Sequence, residues 1–252
     1  MNNFSDLAFV LHTIAWRETS LIVEVFTRTH GRLGLIAKGA RRPRSALRGL
    51  LQPFQPLEIR WAGKSELRNL IGAEWVGGLA TLSGAAIMPG FYLNELMVRL
   101  LARDDAHPVL FDDYLATLGL LAKNSESSDR ELTEPILRRF ECNLLRELGY
   151  APVFDREAGH DAPAINAARF YHVDPQTGIR CISPESVNED SYHGSTLLAL
   201  ASADRSIEQA VHALQDAQVA AESKRLLRML LGHHLGEEGL QSRQVMRDMV
   251  RI

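Results

Sequence analysis

The sequence predicts an α+β protein, with a small β-rich domain at its N-terminus and an α-helical domain, interrupted by an irregular insertion, behind it. Three observations carry that prediction. Residues 8 to 77 consist of short apolar or alternating runs parted by turn residues. From about residue 83, apolar residues recur at helical spacing. Residues 150 to 192 lose that spacing and gather Pro152, Gly159, Pro163, Pro175, Gly178 and Pro184. At 252 residues and 46% hydrophobic, the chain can bury one large core or two to three small ones.

Five strands are predicted at 8–13, 20–27, 33–38, 57–61 and 67–75. Thr29-His30-Gly31 joins the second to the third at hairpin distance, and Ala62-Gly63-Lys64-Ser65 joins the fourth to the fifth. Five short strands with a longer connection after the third fit a closed or partly closed barrel better than a sandwich, and the OB-fold barrel is the expected type. Phe91, Leu93, Leu96, Met97, Leu100 and Leu101 then mark a helix within 88–103, followed by a second over 108–122 and a polar loop over 124–129. Thr133-Glu134-Pro135 offers a cap and a first-turn proline for a third helix ending near Gly149. Short strands are expected at 169–173 and 179–182, and helical segments at 197–201, 207–214, 217–235 and 242–249. The resulting plan is a barrel domain over 1–80, a first helical part over 81–149, the insertion over 150–192, and a C-terminal part over 193–252 that completes the same bundle.

Charge is divided unevenly along this plan. Residues 1–70 carry a net charge of +6 and residues 71–252 a net of −9. The densest run is 37–49, where Lys38, Arg41, Arg42, Arg44 and Arg48 occur without one carboxylate, and Gly39, Pro43 and Gly49 hold the segment in a loop. Cations so placed neutralise phosphates with salt-sensitive, sequence-tolerant affinity. An anionic protein or lipid, or simple solvation, are the other readings of such a run. Lys64 and Arg68 extend the basic track. Phe9, Trp16, Phe26, Phe54 and Trp61 are either core or base-stacking platforms, and Trp16, beside Arg17 and Glu18 in the first turn, is the preferred platform.

Catalytic signatures are missing. The sequence has no phosphate-binding G-x-x-x-x-G-K-[ST], no G-x-S-x-G and no H-E-x-x-H, and Gly31 to Ile36 lies between strands without a third glycine. His233 and His234 point to different helix faces and make a poor chelate. Asp104-Asp105 and Glu237-Glu238 read as helix-end solvation, and His107 and His160 have no evident partners in sequence. A non-enzymatic protein without cofactor is therefore expected. Cys142 and Cys181 give no disulfide framework, and no signal-peptide pattern or long apolar run is present, so the expectation is a cytoplasmic protein with no membrane association.

Several segments together resemble the RecO family of bacterial recombination mediators. They are Ala8-Phe9-Val10-Leu11-His12, Glu18-Thr19-Ser20-Leu21, Phe26-Thr27, His30-Gly31-Arg32, Ala37-Lys38-Gly39-Ala40-Arg41 and Leu47-Arg48-Gly49-Leu50-Leu51-Gln52-Pro53-Phe54. Leu82-Ser83-Gly84, Gly90-Phe91-Tyr92-Leu93-Asn94-Glu95-Leu96, Leu137-Arg138-Arg139-Phe140-Glu141 and Leu148-Gly149-Tyr150 continue the likeness to about residue 150, beyond which it is faint. The resemblance implies an OB-fold joined to a helical domain, acting without catalysis at the nucleoid in DNA repair. It implies binding and annealing of single- and double-stranded DNA, a partnership with RecR, and contact with the acidic C-terminal tail of single-stranded DNA-binding protein so that RecA is loaded. By motif, Arg138, with Arg139 beside it, is the implied anchor of that tail, because a guanidinium among apolar helix residues can grip a terminal carboxylate. The competing reading is an ion pair with Glu134 or Glu141 on the same helix.

Many family members carry four cysteines in the insertion that could hold zinc. Here Glu157 stands near the first of those positions and Cys181 is the lone thiol of the segment, so no zinc is expected and a small apolar cluster should hold the insertion. A different class of function stays open beside the mediator: an interaction adaptor whose basic loop grips an acidic protein and never meets DNA.

Overall fold

The computed structural model describes residues 3–126, 132–204, 206–236, 239–242, 244 and 245. They form two compact units, one of residues 1–128 with 240–252 and one of residues 129–239.

The first unit is built on the predicted barrel. Strands β1 (Asn3–Trp16), β2 (Ser20–Thr27), β3 (Gly31–Ala37), β4 (Pro56–Ala62) and β5 (Leu67–Trp75) close in the order β1-β2-β3-β5-β4. Four of the five contacts are antiparallel and β3 with β5 is parallel. β1 runs well beyond the expected 8–13 because it serves two neighbours. Its first half pairs with β4 and its second half with β2, and the polar residues that hid its N-terminal end from the sequence reading, Asn3, Ser5 and Asp6, are half-buried or exposed. Val23, Val25, Leu33, Leu35, Leu57, Ile59 and Trp61 fill the interior.

Two helices cover one side of this barrel's strands. They are α2 (Ile87–Leu100), which packs on β1, and α3 (Pro108–Glu126). Phe9 and Phe26, which lie outside the barrel interior, meet Phe111 of α3 at ring distances of 5.3 and 5.5 Å. Because β2 is covered on both faces, all five residues from Val23 to Thr27 are buried, Glu24 and Thr27 included. The β1 ladder slips between Val10 and His12, leaving the Leu11 carbonyl without a ladder partner, and Asn94 of α2 donates to it at 3.0 Å. Tyr114 donates to the same Asn94, and burial pushes its phenol far above the ordinary range.

A strap over 101–105 closes against β3. Arg32 donates to the Leu101 carbonyl at 3.0 Å and pairs with Glu24 at 3.0 Å, Arg103 pairs with Glu24 and Glu66, and the Asp104 amide donates to the Arg32 carbonyl. Gly31 is required here: its φ is +71°, and a Cβ would stand 1.9 Å from the Asp105 carbonyl oxygen. The Glu95 carboxylate of α2 accepts hydrogen bonds from the amides of Gln241 and Ser242, both at 2.8 Å, and so holds the returning chain in this unit.

The second unit contains α4 (Thr133–Glu147), β6 (Phe170–Asp174), β7 (Gly178–Ile182), β8 (Ser191–His193), α5 (Gly194–Ala201), α6 (Ile207–Ala213) and α7 (Ala217–Leu235). α4 packs on α6 and α7, and α5 packs on α7. The sheet runs β7-β6-β8, and its third strand was not expected. Glu222 of α7 ties sheet to helices, accepting from the His193 amide at 2.8 Å, the His193 ring at 2.6 Å and the Thr196 hydroxyl at 2.7 Å. Burial raises its pKa, but these bonds outweigh that and hold the carboxyl below its ordinary value. In the insertion Phe154, Ile165, Tyr171, Val173 and Ile179 are buried, and Glu157 accepts from the Cys181 amide at 3.2 Å. Among the described residues no group of three His, Cys, Asp or Glu is placed to hold a metal ion.

Several expectations are corrected. The expected 81–149 grouping is divided: α2 and α3 pack in the barrel's unit, and α4 packs with the helices that follow the insertion. Helical spacing shows that a segment is a helix but not which core its apolar stripe serves. α4 is capped at Leu132 and begins with Thr133, so Thr133 lies in the first turn and is not the cap. α3 continues through the expected polar loop to Glu126, with Asn124 buried, and residues 127–129 of that loop lie outside the described residues. Most of the helical segment expected at 242–249 also lies outside them.

Candidate nucleic-acid interface

The basic loop is anchored from below. Ala37, Ala40 and Leu51 are buried in the barrel core and Leu47 packs against it, so the apolar residues of the segment turn inward. Between these anchors the backbone folds as successive turns, with the Arg42 amide bonded to the Gly39 carbonyl, Ser45 to Arg42, and Arg48 to Ser45. A short helix, α1 (Leu47–Leu50), ends the run, so part of what reads as loop is helical.

This arrangement turns the cations outward. Lys38, Arg41, Arg42, Arg44 and Arg48 are all exposed, and none is ion-paired to a described residue. Arg41 reaches the turn between β1 and β2, where its guanidinium donates to the carbonyls of Arg17 and Glu18 at 3.3 and 3.4 Å while its amide donates to Thr19. Those bonds join the loop to the β1–β2 turn; Trp16, next to that turn, is 39% exposed and closes β1 opposite Ser20 instead of lying in the turn itself. Arg17 stands 5.9 Å over the Trp16 ring, in the left-handed region at φ 51°. Arg17 is thus a sixth cation of the surface, and its position next to Trp16 in sequence was the available signal. Beneath the loop, Thr13, Leu21, Ala40, Arg41, Arg48, Leu51, Gln52 and Pro53 line a cleft of about 350 Å³ that has two guanidiniums and no carboxylate. A cleft of this kind receives anions.

Other candidates stand apart. Lys64 is exposed, but with Arg68 it lines a separate cleft of about 200 Å³ together with Phe4, His30, Trp61 and Asp104. Arg68 does not serve there as an open phosphate contact: its side chain is 14% exposed and pairs with Asp104, because the strap lies alongside β5. Beside that cleft, burial raises the Asp6 pKa, but hydrogen bonds from the His30 ring, Thr29 and Leu7 reverse this and hold the carboxyl below its usual value. Phe9, Phe26, Phe54 and Trp61 belong to packed cores. Trp75, not singled out in the sequence, is the most open of the tryptophans at 61% exposure.

Arg138 and Arg139 lie in the other unit and are buried, at 6% and 5% exposure. Arg138 pairs with Glu141 at 2.8 Å and approaches Glu134 at 3.9 Å, the same-helix arrangement that spacing allowed as the alternative to a tail anchor.

Residues 1–79 match the family model of the recombination protein O N terminal domain, and residues 83–244 that of the recombination protein O C terminal domain. The chain is 46% identical over 251 residues to a DNA repair protein RecO of Thiobacillus denitrificans, covering 98% of this chain and 93% of that one. It is 45% identical to the protein of that name from Aromatoleum aromaticum, over 97% of this chain and 95% of that one. For the Polynucleobacter asymbioticus protein the identity is 47%, over 97% and 96% of the two chains.

Proposed function

Because this chain belongs to the RecO family of DNA repair proteins, we propose that it is a non-enzymatic recombination mediator whose basic loop binds DNA. The observation that carries this reading is the acid-free run 37–49 on a closed OB-type barrel: Lys38, Arg41, Arg42, Arg44 and Arg48 are exposed and ion-paired to no described residue, and Arg41 reaches the carbonyls of Arg17 and Glu18 next to Trp16. Cations held clear of carboxylates neutralise phosphates without reading bases, and they lower the repulsion between two strands, which is the requirement for annealing. Single- and double-stranded DNA both fit such a surface. Lys64 serves as an outlying contact.

On the same reading the protein acts in the cytoplasm at the nucleoid, works with RecR, and takes the acidic tail of single-stranded DNA-binding protein so that RecA is loaded. Among the described residues no helix is long and apolar enough to cross a membrane. For tail binding, α4 with Arg138 and Arg139 is the proposed position. It draws less support than the loop does, because Arg138 must share its guanidinium between Glu141 and the incoming carboxylate.

The test is binding of a fluorescent single-stranded oligonucleotide and, separately, of an acidic tail peptide ending in phenylalanine, across a salt series. DNA affinity should fall steeply with salt, and the triple charge reversal Arg41→Glu, Arg42→Glu, Arg44→Glu should lower the logarithmic salt slope by about 2. Peptide binding without DNA binding would replace the mediator by an adaptor.

A further inference from the structure

Next to the basic cleft lies a groove that the DNA reading has not used. It has a volume of about 620 Å³, and aromatic and aliphatic side chains form most of its walls: Phe54, Trp75, Leu82, Ile87 and Phe91. Gln52 and Pro53 line both the groove and the basic cleft, so the two adjoin, and no carboxylate lines either.

The groove is stiff and open. Phe54 holds a left-handed backbone at φ 67°, a conformation costly for a non-glycine residue. Its ring meets Phe91 edge-on at 5.0 Å. Gly90 makes this fit: a Cβ there would fall 2.8 Å from the Phe54 ring and 2.7 Å from Leu82. On the opposite side the Trp75 indole N–H donates to Gln55 at 3.0 Å, and Gln55 in turn donates to Thr81 at 3.2 Å. That chain fixes the ring while 61% of the residue stays exposed, and Phe91 is 40% exposed. Two aromatic rings fixed in place and left wet beside amides form a platform for flat, polar-edged rings.

We propose that this groove takes unpaired bases of single-stranded DNA whose phosphates lie on Arg41 and Arg48 in the adjoining cleft. The inference rests on the DNA-binding reading and adds to it the path of the strand: from the loop, past Gln52 and Pro53, onto Trp75 and Phe91. Charge complementarity selects this occupant, since the two adjoining linings offer guanidiniums and no acid, so an anionic chain with apolar faces fits both parts at once. Duplex DNA cannot use the groove, because its bases are already stacked.

Full-length protein should be titrated with an oligothymidylate and with an abasic oligomer of equal length, which has the phosphates but no bases. Wild type should prefer the thymidylate by roughly tenfold or more per base engaged. Trp75→Ala with Phe91→Ala should abolish that preference and leave abasic affinity unchanged. Equal affinity of wild type for the two oligomers, or an undiminished preference in the double variant, would overturn the groove assignment while leaving the loop standing. Failure of both oligomers to bind would remove the DNA reading itself. Both rings are exposed, so the variants should fold, and quenching of Trp75 by thymidylate in a Trp16→Phe background, absent with the abasic oligomer, reads the same contact without truncating it.

Discussion

Arg41, Arg42, Arg44 and Arg48 in the first unit and Arg138 and Arg139 in the second are the same side chain in opposite circumstances. The four loop residues stand exposed without a carboxylate partner, whereas the two helix residues are almost wholly buried and Arg138 is held 2.8 Å from Glu141. Local sequence explains the contrast. In the loop, turns and buried alanines point the cations outward, and no acid lies within reach along the chain. On α4 an acid occurs four residues before and three after Arg138, so the helix itself supplies partners. Density of positive charge along a chain therefore does not by itself say how much of that charge the fold leaves without an ion-pair partner.

The comparison can be broken at four points, taken from the largest effect down. Gly31→Ala should cost the first unit at least about 4 kcal/mol, since a Cβ meets backbone at a left-handed position; urea unfolding should show loss of the barrel. Arg138→Ala should destabilise the second unit by about 3 kcal/mol, because it takes the 2.8 Å guanidinium pairing away from the buried Glu141 carboxylate, and Arg138→Met combined with Glu141→Leu should cost less than the single change. If Arg138→Ala leaves the unfolding midpoint alone and removes peptide binding, the helix arginine is functional and the contrast fails.

Third, the triple loop reversal should reduce the logarithmic salt slope of single-strand binding by about 2 and leave the unfolding midpoint in place. Smallest is Asp6→Asn, worth about 1 kcal/mol at neutral pH through lost hydrogen bonds. The Asp6 carboxyl is depressed in the folded state, so its contribution is present above the ordinary carboxylate value and lost as pH falls through the folded one. Stability of wild type should drop below about pH 4 more steeply than that of Asp6→Asn. Glu222 in the second unit has the same sign, and Glu222→Gln should flatten the acid limb of that unit instead.

What could be read from the sequence follows from which signals are local. β2 and β3 lie close to their expected bounds because alternation and a turn surround each. The ends of β1 and the whole of β8 were hidden, since Asn3, Ser5 and Ser191-Tyr192-His193 have no strand signature without the neighbours that pair with them. Helical spacing located α2, α3 and α4 but could not assign them to two cores. The basic loop was visible as an acid-free run. Its neighbouring groove was not, for Phe54, Trp75 and Phe91 meet through a left-handed turn, a strand end and a helix that are distant in sequence. For Arg138, spacing allowed an ion pair on its own helix, and the structure holds one with Glu141 at 2.8 Å.

The grip of Glu95 on Gln241 and Ser242 has a topological consequence. The chain leaves the barrel's unit once and comes back, so the second unit is an insertion spliced into the first by two covalent crossings. A single protease cut at either crossing should therefore yield fragments that still elute as one particle, and release of the inserted unit should require both cuts.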